Sequence, residues 1–79
     1  MSLETELVAM VAKELSVDEA EVVAGAHLQD DLGADSLMLV ELAAAISERY
    51  GVTVEVDDLV DVSSFGELVV LVNERRGSA

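Results

Sequence analysis

The chain has 79 residues and sets 17 Asp and Glu against 4 Lys and Arg, a formal charge of -13, while 52% of it is hydrophobic. So large an acidic excess argues against nucleic-acid binding, because phosphate contacts need clustered Lys and Arg, and against docking on an anionic membrane surface. The apolar half excludes the disordered class that high net charge alone would suggest, which leaves a folded acidic domain.

Leu3, Leu7, Val8, Val11 and Leu15 recur at helical spacing, with Glu4, Glu6, Lys13 and Glu14 largely elsewhere, and predict an amphipathic helix over residues 3–15. Ser16-Val17-Asp18 breaks the period. Residues 16–35 carry Gly25, Gly33 and six acids. They read as a long loop with one helical turn near residues 18–23, packed by Val22, Val23, Leu28 and Leu32. Asp35 then stands as the N-cap of a second helix from Ser36 to about Tyr50, closed by Gly51, with Arg49 favourable near the helix end. Val52-Thr53-Val54-Glu55-Val56 alternates like a strand, but no second strand-like segment exists to pair with it, so an extended loop is expected. A short helical piece follows around residues 57–61. Ser64 and Glu67 have capping-box spacing ahead of the inward residues Phe65, Leu68, Val69 and Val72, and Arg75, Arg76 and Gly77 suit a helix end. The expected fold is all-α. It is a small four-helix bundle, three main helices and one short one, with a long loop between the first two, forming one domain over residues 1–79.

A chain of this length buries only about 60 to 65% of its unfolded surface, and a deep water-excluding active site would consume much of that core, which argues against a self-sufficient enzyme. There is no Cys. Neither disulfides nor thiolate metal sites therefore hold the fold. The apolar runs are far short of a membrane span, and Met1-Ser2-Leu3-Glu4 lacks the basic and apolar regions of a signal peptide, so a cytoplasmic location is expected.

On a helical wheel the second helix gathers Leu39, Leu42, Ala43, Ile46 and Tyr50 on one side, the core stripe. Its other side is not simply polar. Leu37, Val40 and Ala44 interleave there with Glu41 and Glu48, while Met38 and Ala45 lie toward a flank. So small a bundle cannot easily bury both sides, and an apolar strip rimmed by carboxylates looks like a partner-binding surface; scattered exposed apolar residues give the same pattern. Between Lys13 and Arg49 nine acids occur with no Lys or Arg. Such a single-sign field raises encounter rates with basic partners and weakens with salt, or serves as a solubilising face.

Ser36 follows Gly33-Ala34-Asp35 at the first turn of this helix. A phosphate ester on its hydroxyl would lie beside unsatisfied N–H groups and the positive end of the helix dipole. The only His is His27, and no triad or nucleophile elbow is present, so Ser36 reads as a modification acceptor rather than a nucleophile. Simple capping is the competing reading of a Ser after an Asp.

The segment Asp31-Leu32-Gly33-Ala34-Asp35-Ser36-Leu37, followed by Val40-Glu41-Leu42, resembles the acyl carrier proteins, and the resemblance covers essentially the whole chain. It implies that a phosphopantetheinyl transferase esterifies Ser36, flanked by Asp35 and Leu37, with the 4'-phosphopantetheine of coenzyme A. The thiol of that arm then carries acyl groups as thioesters. The chain is accordingly expected to be a monomeric carrier and not an enzyme, with an acyltransferase or acyl ligase, a ketosynthase and other basic-surfaced synthase components as partners. The family's recognition helix follows the serine, which by position implicates Asp35, Leu37, Met38, Val40, Glu41, Ala44 and Glu48 in partner binding. Leu39, Ile46, Leu59, Leu68 and Val72 are the corresponding candidates for sheltering an acyl chain.

Two departures stand out. Many fatty-acid carriers have an acid where this chain has Met38, and many have a Pro where it runs Val54-Glu55-Val56. Together they tilt the reading from fatty-acid synthesis toward polyketide or other specialised synthesis. Ala34-Asp35 favours an acyl carrier over a peptidyl or aminoacyl carrier. A non-covalent acidic interaction module, which needs no Ser36, is the alternative of a different class. An EF-hand loop counted from Asp30 puts Glu41 at position 12 but Leu32, Ala34 and Asp35 at positions 3, 5 and 6, so that motif fails and no metal site is expected. Weak divalent-ion binding by the clustered carboxylates stays open.

Overall fold

The computed structural model describes residues 2–77; Met1, the first residue of the segment read for a leader, and the last two positions of the expected 1–79 domain lie outside the described residues. The element order is α1 (Leu3–Leu15), a 3-10 turn (Glu19–Glu21), α2 (Ser36–Tyr50), α3 (Val56–Asp61) and α4 (Phe65–Gly77). Among the described residues there is no strand. This is the all-α bundle that the periodicity predicts.

Each main helix begins where a side-chain oxygen meets an orphan backbone N–H. Ser2 Oγ accepts from the Thr5 N–H at 3.2 Å, Asp35 Oδ1 from the Met38 N–H at 2.9 Å, and Ser64 Oγ from the Glu67 N–H at 3.4 Å. The apolar stripes behind these caps meet in one core. Leu7, Val11 and Leu15 of α1, Leu39, Leu42 and Ile46 of α2, Leu59 of α3, and Phe65, Leu68 and Val72 of α4 are all buried. Phe65 is fully buried, and truncating such a side chain to Ala costs about 3 to 5 kcal/mol.

Arg49 and Tyr50, at the end of α2, both reach Glu6 near the start of α1, at 3.5 and 3.0 Å, so α1 and α2 run antiparallel. The Arg76 guanidinium lies 5.3 Å from the centre of the Tyr50 ring and brings the end of α4 to the same pole. The Val52–Val54 stretch is neither helix nor strand. Ser47 replaces the missing strand: its hydroxyl donates to the Val54 carbonyl and accepts the Val54 N–H, both at 3.0 Å. Arg75 adds a bond from Nη1 to the Thr53 carbonyl at 2.6 Å.

The loop from Ser16 to Asp35 is tied down at its middle. The first two N–H groups of α4 leave their own helix, Phe65 donating to the Ala26 carbonyl at 2.8 Å and Gly66 to the Ala24 carbonyl at 2.9 Å. A side chain at residue 66 would be crowded here, since a Cβ on it would lie 3.1 Å from the Ala24 oxygen and the loop would have to give by a few tenths of an ångström. Val22, Leu28 and Leu32 pack inward as expected, but Val23 does not: it is 56% exposed. Its carbonyl closes a turn with the Ala26 N–H at 2.9 Å, and the neighbouring Val22 takes the inward direction. Ala26 and Ala34 supply the remaining buried contacts of the loop.

Candidate functional site

The approach to α2 is a wound turn. The His27 carbonyl accepts from the Asp31 and Leu32 N–H groups at 2.9 and 3.0 Å, and the Leu28 carbonyl accepts from Ala34 at 2.9 Å. Leu28, Leu32 and Ala34 anchor this turn in the core. Gly33 reverses the chain with a φ of 73°, a left-handed conformation that costs glycine nothing, and delivers Asp35 in extended geometry (φ -101°, ψ 178°) as the cap of α2.

Ser36 is the first residue of α2, and it is exposed. Its hydroxyl has no hydrogen-bond partner among the described residues, because the capping work falls to Asp35. The serine's side chain is therefore not consumed by the fold. A phosphate attached there meets the N-terminal end of a 15-residue helix, whose dipole favours negative charge. An exposed, unbonded hydroxyl with its helix already capped fits a bulky phosphoester arm on Ser36, with Asp35 and Leu37 on either side.

The surface beside it is apolar and acidic together. Leu37 is 67% exposed and Val40 49%, in a helix whose other face is fully buried at Leu42 and Ile46. Glu41, Ala44 and Glu48 are exposed in the same helix, while Met38 is half-buried and packs against the core. The five candidates for sheltering an acyl chain, Leu39, Ile46, Leu59, Leu68 and Val72, are core residues drawn from α2, α3 and α4. None of them lines the open groove of about 490 Å³ between α1 and α2, whose walls include Met10, Lys13, Ala45 and Arg49.

The charges are sorted along the molecule. All three arginines gather at the C-terminal end of α2, each engaged: Arg49 with Glu6, Arg75 with Asp58 and the Thr53 carbonyl, and Arg76 over Tyr50. The Ser36 end keeps Asp30, Asp31, Asp35 and Glu41 exposed. At the arginine end the titration of Asp58 and Tyr50 is displaced. Asp58 is held below the usual carboxylate range, first by the Glu55 backbone N–H and then by the Arg75 guanidinium. Burial, followed by the bond to Glu6, pushes the Tyr50 phenol up. Among the described residues no group of three or more His, Cys, Asp or Glu is arranged to hold a metal ion, and no helix is long and apolar enough to cross a membrane.

Several participants were missed by sequence reasoning. The Ser47–Val54 clasp and the Arg75 bonds to residues 17 and 22 positions away carry no local signal. His27, considered only as a base for Ser36, caps the turn that precedes it: its Nδ1 accepts from the Gln29 and Asp30 N–H groups at 3.2 and 3.0 Å.

Comparison with known proteins gives the family. The family described as the phosphopantetheine attachment site matches residues 5–72. An acyl carrier protein of Thermotoga maritima is 40% identical over 68 residues, covering 86% of this chain and 84% of that protein. An acyl carrier protein of Helicobacter pylori (strain G27) is 34% identical over 76 residues, covering 96% and 97%. The solution structure of the HMG-ACPI domain from the CurA module of Lyngbya majuscula superposes with a TM-score of 0.81 at 23% identity, over 96% of this chain and 77% of that one, a likeness of fold. With a family match over most of its length and relatives that cover it almost entirely, the chain belongs to the phosphopantetheine-attachment family as an acyl carrier protein, and its cofactor is a covalently attached 4'-phosphopantetheine.

Proposed function

We propose that Ser36 is the attachment point of the arm and that residues 1–79 act as one carrier domain, a non-catalytic shuttle presenting acyl groups to successive enzymes. The observation that carries this is the exposed Ser36 hydroxyl, unbonded at the start of a helix that Asp35 already caps. When bound, the arm supplies the thiol that this cysteine-free chain lacks and on which acyl groups are held as thioesters. The protein's own residues do the rest. Asp35 fixes the first turn so that Ser36 stays at its end, and the α2 N–H groups face the phosphodiester charge.

The partner surface in this reading is Leu37, Met38, Val40, Glu41, Ala44 and Glu48, an apolar strip flanked by carboxylates. It suits basic-rimmed enzymes: a phosphopantetheinyl transferase, an acyltransferase or acyl ligase, and a ketosynthase. Shelter of an acyl chain falls to Leu39, Ile46, Leu59, Leu68 and Val72, which meet in one core and would part to admit it. Met38 at the centre of the surface and the Val54-Glu55-Val56 run favour specialised or polyketide synthesis over general fatty-acid synthesis. We assign its action to the cytoplasm, consistent with a chain that needs no oxidising compartment.

The test is intact-mass measurement after incubation with coenzyme A and a promiscuous phosphopantetheinyl transferase. Wild type gains one phosphopantetheine and Ser36→Ala gains none. A folded wild-type chain that gains no mass contradicts the reading and leaves the non-covalent acidic module in its place.

A further inference from the structure

The turn from His27 to Leu32 has the hydrogen-bond logic of a helix N-terminus, with an imidazole in the capping position. Gln29 and Asp30 have N–H groups that find no carbonyl in so short a turn, and both point at His27 Nδ1, at 3.2 and 3.0 Å. The exchange is reciprocal, since the His27 N–H donates to Asp31 Oδ2 at 2.8 Å. A ring nitrogen accepts a hydrogen bond only with its lone pair free, so this geometry requires the neutral imidazole with its proton on Nε2.

Protonation reverses the interaction. It would place an N–H on Nδ1 facing two backbone N–H donors, and the cap would be lost. The groups around the ring are acids: Asp30, whose Oδ2 lies 3.8 Å from Nδ1, and Asp31 in the same turn. The elements joined to the turn add Asp35 at the start of α2 and Glu67 in the first turn of α4; their arginines, Arg49, Arg75 and Arg76, lie in the last turns of those helices. The imidazolium is thus offered a replacement partner in Asp30, which draws the ring away from the two amides. The turn leads directly into Gly33-Ala34-Asp35-Ser36, a segment tied to the turn by the Ala34 N–H on Leu28 and by burial of Leu28, Leu32 and Ala34, and to α2 by the Asp35 cap on Met38.

We propose that His27 is a positioning residue for Ser36: the neutral imidazole orders the turn that presents the serine, and protonation exchanges that cap for a pairing with Asp30 and loosens the presentation. The inference rests on Ser36 as the attachment point. Imidazoles ordinarily change charge between about pH 5 and 8, which sets the range to examine.

The experiment compares wild type, His27→Ser, which keeps a non-titrating cap acceptor, and His27→Ala, which keeps none. Imidazole 15N shifts give the tautomer, Gln29 and Asp30 amide shifts report the cap, and the rate of mass gain at Ser36 reports presentation. Taking that rate as the ratio of wild type to His27→Ser at each pH cancels the transferase's own pH response. We expect the Nε2–H tautomer at about pH 8 and amide shifts that follow the imidazole titration. We also expect a rate ratio that falls about threefold on acidification, with His27→Ala slow throughout. An Nδ1–H tautomer, amides indifferent to the titration, or a constant ratio overturns the proposal. If wild type takes no mass at any pH, the Ser36 assignment fails and the presentation step with it, while the NMR measurements decide the cap independently.

Discussion

Arg75 holds Asp58 through Nη2 to Oδ1 at 3.1 Å, and the other oxygen of the same carboxylate accepts the Glu55 N–H at 3.0 Å. One side chain thereby caps α3 and fastens it to α4. Both interactions favour the ionised carboxyl, so Asp58 is depressed in the folded state. Its contribution is present above the ordinary carboxylate range and is lost as pH falls through the depressed folded value. Asp58→Asn is expected to lower stability by about 0.5 to 1 kcal/mol near neutrality, with the two proteins converging in acid; urea denaturation across pH checks this.

Tyr50 has the opposite sign. Its raised phenol favours the neutral form in the fold, so its contribution holds below the ordinary tyrosine range and is lost as pH rises through the raised folded value. Tyr50→Phe removes the 3.0 Å bond to Glu6 and is expected to cost about 1 kcal/mol at neutral pH. Its stability should also decline less steeply in alkali than that of wild type, as read by thermal unfolding at several pH values.

Asp35 and Ser36 divide the labour at the start of α2, and substitution separates them. Asp35→Ala should cost about 1 kcal/mol and speed amide exchange at Met38, whereas Asp35→Asn retains most of the cap. Ser36→Ala should leave stability within about 0.5 kcal/mol of wild type while abolishing the mass gain. A large destabilisation by Ser36→Ala would mean that the hydroxyl serves the fold.

The two faces of α2 make a second contrast. Leu42→Ala, at a fully buried position, is expected to cost about 2 to 5 kcal/mol. Leu37→Ala, 67% exposed, should change stability by less than about 0.5 kcal/mol yet raise the KM of loading and transfer enzymes for the carrier.

Glu41→Lys and Glu48→Lys probe the acidic rim. Each is expected to slow association with a basic partner by roughly tenfold at low ionic strength and to flatten the salt dependence, with helicity unchanged. Rates of transfer measured from low to high salt report this, and an unaltered salt profile would count against electrostatic docking.

The helices were legible in the sequence because apolar spacing and caps are local signals. Leu3 through Leu15, Asp35 before Ser36, Gly51 after Tyr50 and Ser64 before Phe65 mark boundaries that the structure keeps within about one residue. The loop was less legible. Its buried members cannot be told from Val23 by composition, since direction there is decided by turns closed between carbonyls and amides. The His27 cap escaped for a related reason: the reciprocal acid is four residues on, at Asp31, instead of three, and an imidazole is not among the customary caps. The Arg75 and Ser47 bonds escaped because they join segments only the finished fold brings together.

The gathering of three arginines at one end of α2 gives the molecule a tip and a tail. Ser36 and Arg49 are 13 residues apart on one helix, about 20 Å at 1.5 Å per residue. A basic enzyme surface is therefore expected to orient the approaching chain as well as attract it, pulling harder on the uncompensated carboxylates Asp30, Asp31, Asp35 and Glu41 than on the end where arginines offset Glu6 and Asp58. In the proposed docking mode the carrier is expected to swing round before contact and arrive hydroxyl first, so that fewer collisions are spent in the wrong orientation.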